Sequence, residues 1–254
     1  MRKKDKLEII AALEQRYKGI GTALRYNSPF ELLCAVIMSA QCTDERINKI
    51  TARIFPRLNT PEKMGALTQE QLEEEIRDCG LYRAKAKNLL GMCHMLTEEF
   101  GGMVPQDIPT LMKLPGVGRK TADVIASVVY KIPAIAVDTL VFRTSHSLGL
   151  SDAKTPEATE LDLQKLIPKN KWADAHHWFI WHGRLTCKAR KPLCSECVCL
   201  GKCPFTEKTN TKEKTGAKHR KLLRYSMRRN EPAVARLFEG AARVSKPQAN
   251  ESIE

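Results

Sequence analysis

The chain has 254 residues, 43% of them hydrophobic and 6% aromatic, so it can bury a core of one large or two modest domains and is not a disordered chain. Its 42 Lys and Arg against 29 Asp and Glu leave a formal net charge of +13, an excess that suits a polyanionic partner. No stretch reaches the roughly 18 uninterrupted apolar residues of a membrane helix, and MRKKDKLEII lacks the apolar core and cleavage site of a secretory signal.

In chain order, residues 5–17 carry Leu7, Ile10, Leu13 and Tyr17 at helical spacing. Ser28-Pro29 reads as a cap and first-turn proline opening a helix to about Ala40. Thr43 caps the next, which Pro56 ends. Thr60-Pro61 starts a short helix, and Thr68 starts another that closes at Gly80 as a C-terminal glycine. A helix over 83–100 ends at Gly101-Gly102, followed by a short one near 109–113 and a tight turn over 114–118. Arg119 to about Tyr130 is helical, Asp138 caps 139–148, and Pro156 and Trp172 lie near the starts of two more. Strand-like alternating runs are scarce, so the expected fold is all-α. From Thr206 onward the chain carries 12 basic and 6 acidic residues, leaving +7 on residues 1–205. That end is expected to be a flexible basic tail with at most a short helix near 230–243.

Three motifs carry chemistry. Five of the nine cysteines fall between Cys187 and Cys203, and the pattern Cys187-x6-Cys194-x2-Cys197-x5-Cys203 can converge on one metal centre. Spacing favours an iron–sulfur cluster over zinc, because zinc ribbons usually pair two short knuckles and only one is present. Disulfides are the third option, and Cys199 is a further thiol that could compete as a ligand. The intervening loop, Lys188 to Leu193, is basic and could present a phosphate-binding surface. The second motif, LPGVGRKTA over 114–122, places two glycines in a bend ahead of a helix N-terminus, whose amides and dipole suit phosphate. It resembles the helix-hairpin-helix motif of DNA-binding proteins. The third is Lys120 with Asp138. A lysine in a helix's first turn faces the positive end of the dipole, which favours the neutral amine needed for Schiff-base chemistry over the ammonium of pKa roughly 10.4. Asp138 follows the apolar run Ile135-Ala136-Val137 and is also a plain N-cap candidate.

Taken together, these residues resemble the endonuclease III branch of the helix-hairpin-helix, Gly-Pro-Asp superfamily. The likeness runs over nearly all of residues 1–205. It is carried by Phe30-Glu31-Leu32-Leu33, Ser39-Ala40-Gln41, Gly80-Leu81-Tyr82, LPGVGRKTA, Val137-Asp138-Thr139, His176-His177-Trp178, His182-Gly183-Arg184 and the four cysteines. It implies a helical barrel domain over 22–132 with the hairpin at 114–118, an iron–sulfur domain from 1–21 and 133–211, and a tail over 212–254. It further implies Lys120 as nucleophile, Asp138 as essential carboxylate, and Cys187, Cys194, Cys197 and Cys203 as ligands of a 4Fe-4S cluster. Gln41 and Leu81 match residues that enter the duplex. Gly116, Gly118, Arg119, Thr121, Thr139 and Lys191 are expected along the DNA.

The implied activity is base-excision repair of damaged, oxidised pyrimidines in double-stranded DNA, with lyase cleavage at abasic sites. The implied setting is a cytoplasmic, nucleoid-associated monomer of a prokaryote. Adenine glycosylases of the same superfamily lack a lysine at position 120 and carry a glutamate where this chain has Val36. A monofunctional adenine or mismatch glycosylase is therefore the alternative, with a non-catalytic iron–sulfur DNA binder behind it. One departure from the family pattern is Leu140, where histidine is common; it bears on the pocket and substrate range and not on the nucleophile.

Overall fold

The computed structural model describes residues 1–209, and these form eleven α-helices with no strand among them. The tail over 212–254 and the expected helix near 230–243 lie outside the described residues.

Local capping explains most helix starts. Ser28 Oγ accepts the Glu31 N–H at 3.1 Å and starts α2 (Pro29–Ser39), with Pro29 in its first turn. Threonines 43, 60 and 155 cap α3 (Asp44–Ile54), α4 (Pro61–Gly65) and α10 (Pro156–Leu166) in the same way, and Thr68 with Gln71 forms a full capping box on α5 (Gln69–Glu75). Asp107 caps α7 (Ile108–Leu111). The first helix, α1, spans Lys3–Tyr17 and the last, α11, Trp172–Leu185.

Two boundaries differ from expectation in an instructive way. The helix opened by Thr68 ends at Glu75 instead of reaching Gly80, the chain leaving it through single turns over 76–79. The left-handed residue at that corner is not Gly80 but Leu81, with φ 59°, which forms the entry to α6 (Tyr82–Phe100) without any side-chain cap. Gly101, φ 57°, ends α6 as expected.

Packing divides into two apolar cores. The first gathers buried residues from Leu24 to Val129 plus Ala136, around α2, whose residues Phe30–Met38 are all buried. A helix apolar on every side belongs at the centre of such a core. The second core joins Ile9, Leu13 and Tyr17 of α1 to Trp178, Phe179 and Trp181 of α11, with Val141 from α9 (Thr139–Ser147). Between them runs the extended segment after α8 (Arg119–Val128). There Ile135 packs into the second core and the adjacent Ala136 into the first, the alternation of an extended chain. Asp138 follows at once, at the seam.

Candidate active site and metal centre

The hairpin begins with the Val117 N–H on the Leu114 carbonyl at 3.0 Å. Gly116 has φ 78°, and a Cβ there would lie 2.9 Å from Cβ of Asn88 on α6, so both the turn and the close approach require glycine. Gly118 is the N-cap of α8, has no side-chain cap, and faces open space where a Cβ would stand. The first-turn amides of α8 lack intrahelical acceptors by construction, and the glycines keep side chains out of their way.

Lys120 follows in the first turn of α8. Its Nζ lies 3.6 Å from Oδ2 of Asp138, the amine half exposed and the carboxylate only 14% exposed. The other oxygen, Oδ1, accepts the N–H groups of Leu140 at 2.9 Å and Val141 at 2.8 Å. One carboxylate therefore caps α9 with one atom and faces the amine with the other. Both residues line a cavity of about 260 Å³ at the seam, which also includes Val36, Gln41, Thr139, His176, His177, Asp44 and Arg184.

The two histidines were visible in the sequence only as part of a motif. Burial pushes both below their ordinary range, so they present neutral imidazoles. His176 Nδ1 donates to the Ala136 carbonyl at 2.7 Å, which fixes its ring two residues from Asp138. Arg184 is tied to Asp44 at 2.5 Å and stacks its guanidinium 5.6 Å from the Trp181 ring. No local pattern marks these partners, since Asp44 and Arg184 stand 140 residues apart.

The remaining sequence candidates distribute unevenly. Gln41 and Leu81 are both exposed and both left-handed, φ 54° and 59°, and a Cβ on Gly80 would lie 3.5 Å from the Gln41 carbonyl. The two turns are thus neighbours. A non-glycine residue held in that region costs about 1–2 kcal/mol, which the surrounding structure must supply. Thr121 is partly buried in α8 and Thr139 exposed at the start of α9. The Arg119 guanidinium is engaged within the protein, bonding Asp123 at 3.1 and 3.2 Å and pairing with Glu160 at 3.6 Å across to α10. Lys191, φ 51°, is exposed and lines a different cavity. Leu140 packs against α11, its Cδ2 being 3.3 Å from where a Gly183 Cβ would stand.

That other cavity, about 470 Å³, is lined by Cys187, Cys194, Cys197 and Cys203 together with Arg143 and His182. All nine cysteines are free thiols. Arg143 Nη1 lies 3.8 Å from the Cys187 sulfur, and His182 Nε2 lies 3.6 Å from that of Cys197. Tyr17 holds the far side of the same ring, its hydroxyl 3.1 Å from Nδ1. Burial raises the Cys187 and Cys203 thiols, so a cation is what would keep them as thiolates. Four soft sulfur donors around one cavity, with a guanidinium and an imidazole alongside to offset their charge, fit a four-cysteine iron–sulfur cluster. Cys199 is buried and donates its backbone N–H to the Cys197 sulfur at 3.4 Å. It is not among the residues lining that cavity.

The fold and site thus join an all-helical chain, a glycine hairpin leading into a lysine, and a carboxylate facing that lysine across a seam. Accordingly, residues 34–169 match the family described as HhH-GPD superfamily base excision DNA repair protein. Endonuclease III of Escherichia coli (strain K12) is 43% identical over 210 residues, 83% of this chain and 100% of that protein. Endonuclease III of Bacillus subtilis (strain 168) is 45% identical over 190 residues, 74% of this chain and 87% of that one. A solved structure of a trapped endonuclease III–DNA covalent intermediate superposes with a TM-score of 0.78 at 43% identity, covering 80% of this chain and 96% of that one. The chain belongs to the endonuclease III family of that superfamily, and is a DNA glycosylase of base-excision repair.

Proposed function

We propose that this protein excises oxidised pyrimidines from double-stranded DNA and then cuts the abasic strand by β-elimination, through an imine formed on Lys120. The observation that carries the reading is the half-exposed Lys120 amine held 3.6 Å from a mostly buried Asp138 carboxylate at the mouth of a cavity.

A base inside a duplex must be extruded before it can be reached, at a cost of a few kcal/mol that is least for a poorly stacked lesion. Gln41 and Leu81 fill the space it leaves. The hairpin amides around Gly116 and Gly118 take the strand's phosphates, with Thr121 and Thr139 beside them and Lys191 on the cysteine loop. The Lys120 amine, having given up its proton, attacks C1′ as the glycosidic bond breaks and the base departs with the bonding electrons. Asp138 stabilises the positive charge that develops on the sugar and assists the proton transfers. The C1′–O4′ bond of the Lys120 adduct then opens, O4′ taking up a proton, to give an iminium that acidifies the C2′ proton; its loss expels the 3′ phosphate and breaks the strand. Val36 in the cavity wall, where the adenine branch carries a glutamate, favours this bifunctional chemistry over the monofunctional kind.

Cys187, Cys194, Cys197 and Cys203 hold a 4Fe-4S cluster in this reading, which ties the cysteine loop into a rigid surface and takes no part in bond breaking. Apart from Ala136, which packs with the first, the two apolar cores support a division into one domain over 22–132 and another from 1–21 and 133–211, the latter described to residue 209.

Borohydride reduction during turnover should trap a covalent protein–DNA adduct, and Lys120→Ala should abolish it. An adduct of undiminished yield in that variant removes Lys120 from the mechanism. Base release without strand cutting would identify a monofunctional glycosylase, and neither activity on any lesion duplex a non-catalytic binder.

A further inference from the structure

We propose that Lys85 is a positioning residue for base extrusion: its buried ammonium fastens the Gln41 turn to the Leu81 turn and sets the gap that these two side chains fill. The inference rests on the reading of Gln41 and Leu81 given above.

Lys85 lies in the first turn of α6 and is only 4% exposed. Its Nζ donates to the Met38 carbonyl at 2.8 Å, the Ala40 carbonyl at 2.6 Å and the Cys79 sulfur at 3.2 Å, so three donors meet three acceptors. Burial raises the Cys79 thiol, and its S–H in turn lies 3.2 Å from the Met38 carbonyl. The ammonium is thus buried among acceptors that carry no formal charge, a costly arrangement that a methionine of similar length would avoid.

What the ammonium holds explains its position. Met38 and Ala40 end α2, where the helix dipole welcomes a cation. The Ala40 carbonyl belongs to the same peptide plane as the Gln41 nitrogen. Pinning that oxygen fixes the plane from which the left-handed φ of Gln41, 54°, is turned. On the other side, the Lys85 backbone N–H donates to the Leu81 carbonyl at 3.1 Å, and Cys79 precedes Gly80-Leu81 directly. One residue is therefore bonded to both turns, whose non-glycine left-handed residues need an external hold. Both turns come from separate helices 40 residues apart in the chain, and nothing local keeps them in register.

The test compares Lys85→Met, Gln41→Ala and Leu81→Ala in single turnover on a lesion duplex and on single-stranded abasic DNA, where no base need leave a stack. Extrusion is read separately by the fluorescence of 2-aminopurine placed beside the lesion. Lys85→Met should keep its melting temperature and its single-strand cutting. It should lose about ten- to hundredfold on the duplex, as a displacement of about an ångström would cause, together with the fluorescence rise. If Gln41→Ala and Leu81→Ala show the duplex-specific loss while Lys85→Met does not, the clamp is overturned and the wedge reading stands. If neither alanine variant is impaired, the wedge reading falls and the clamp with it. Equal losses on both substrates for Lys85→Met would make Lys85 a general scaffold residue and overturn the proposal. Should Lys85→Met fail to fold, Lys85→Gln, which keeps an N–H donor without the charge, reads the same duplex to single-strand ratio.

Discussion

Asparagine at position 138 would separate two jobs that one carboxylate performs. Oδ1 takes the Leu140 and Val141 amides at 2.9 and 2.8 Å, and an asparagine oxygen can accept both. Oδ2 faces Lys120 at 3.6 Å, and there an amide NH2 replaces a negative charge. With the lysine half exposed, that ion pair is worth at most about 1 kcal/mol to folding. Asp138→Asn is therefore expected to melt within a few degrees of the parent, yet to lose about 10²–10⁴ in single-turnover base release as charge stabilisation and proton transfer go. Asp138→Ala removes the cap as well, costing about 1 kcal/mol more, or a fall of roughly 2–4 °C in a domain of this size. Thermal melts and single-turnover kinetics on the same lesion duplex read both quantities. Full activity in the asparagine variant would refute the catalytic half of the argument, and an unchanged melt in the alanine variant would refute the capping half.

Three further outcomes can be checked. The purified protein should carry about four iron and four acid-labile sulfide per chain, and Cys194→Ala should lose them with a lower melting temperature and proteolysis near 187–209; stoichiometric zinc would overturn the iron assignment. Burial holds His176 and His177 below their ordinary value of about 6.5 in the folded protein. The unfolded chain then takes up protons that the folded one refuses, so their contribution is present above about pH 6.5 and lost as pH falls through the folded values. Urea titrations should show that loss, and His177→Gln should lessen it; an unaltered pH slope would count against the imidazoles. A Cβ on Gly183 would meet Thr144 Oγ1 at 2.8 Å and Leu140 Cδ2 at 3.3 Å where α11 packs on α9. Gly183→Ala should accordingly cost about 1–3 kcal/mol in chemical denaturation, and a neutral result would mean that the α9 side chains yield freely.

Much of the site was legible in the linear chain because its parts act over short range. Ser28, the threonines at 43, 60, 68 and 155, and Asp138 bind amides two or three positions ahead, so their side chains and spacing announce helix starts. The glycine bend before Lys120 and the four clustered cysteines are local in the same sense. What the chain alone did not reveal depends on where a side chain ends up after packing. Gly80 looked like the left-handed corner, but that conformation falls on Leu81, where tertiary contacts override local preference. Arg119 is expected along the DNA, and the chain alone gave no sign that its guanidinium also pairs with Asp123 and with Glu160, 41 positions further on. Lys85 carries no local mark at all, and only folding places the end of α2 over it. Composition, caps and motif spacing determined an all-helical protein with a cysteine-rich loop and a lysine nucleophile candidate, because those signals need only neighbours. Only the tertiary structure decided which charges are spent inside the protein and which face the cleft, because a charged group's partners come from segments that nothing but the folded core brings together.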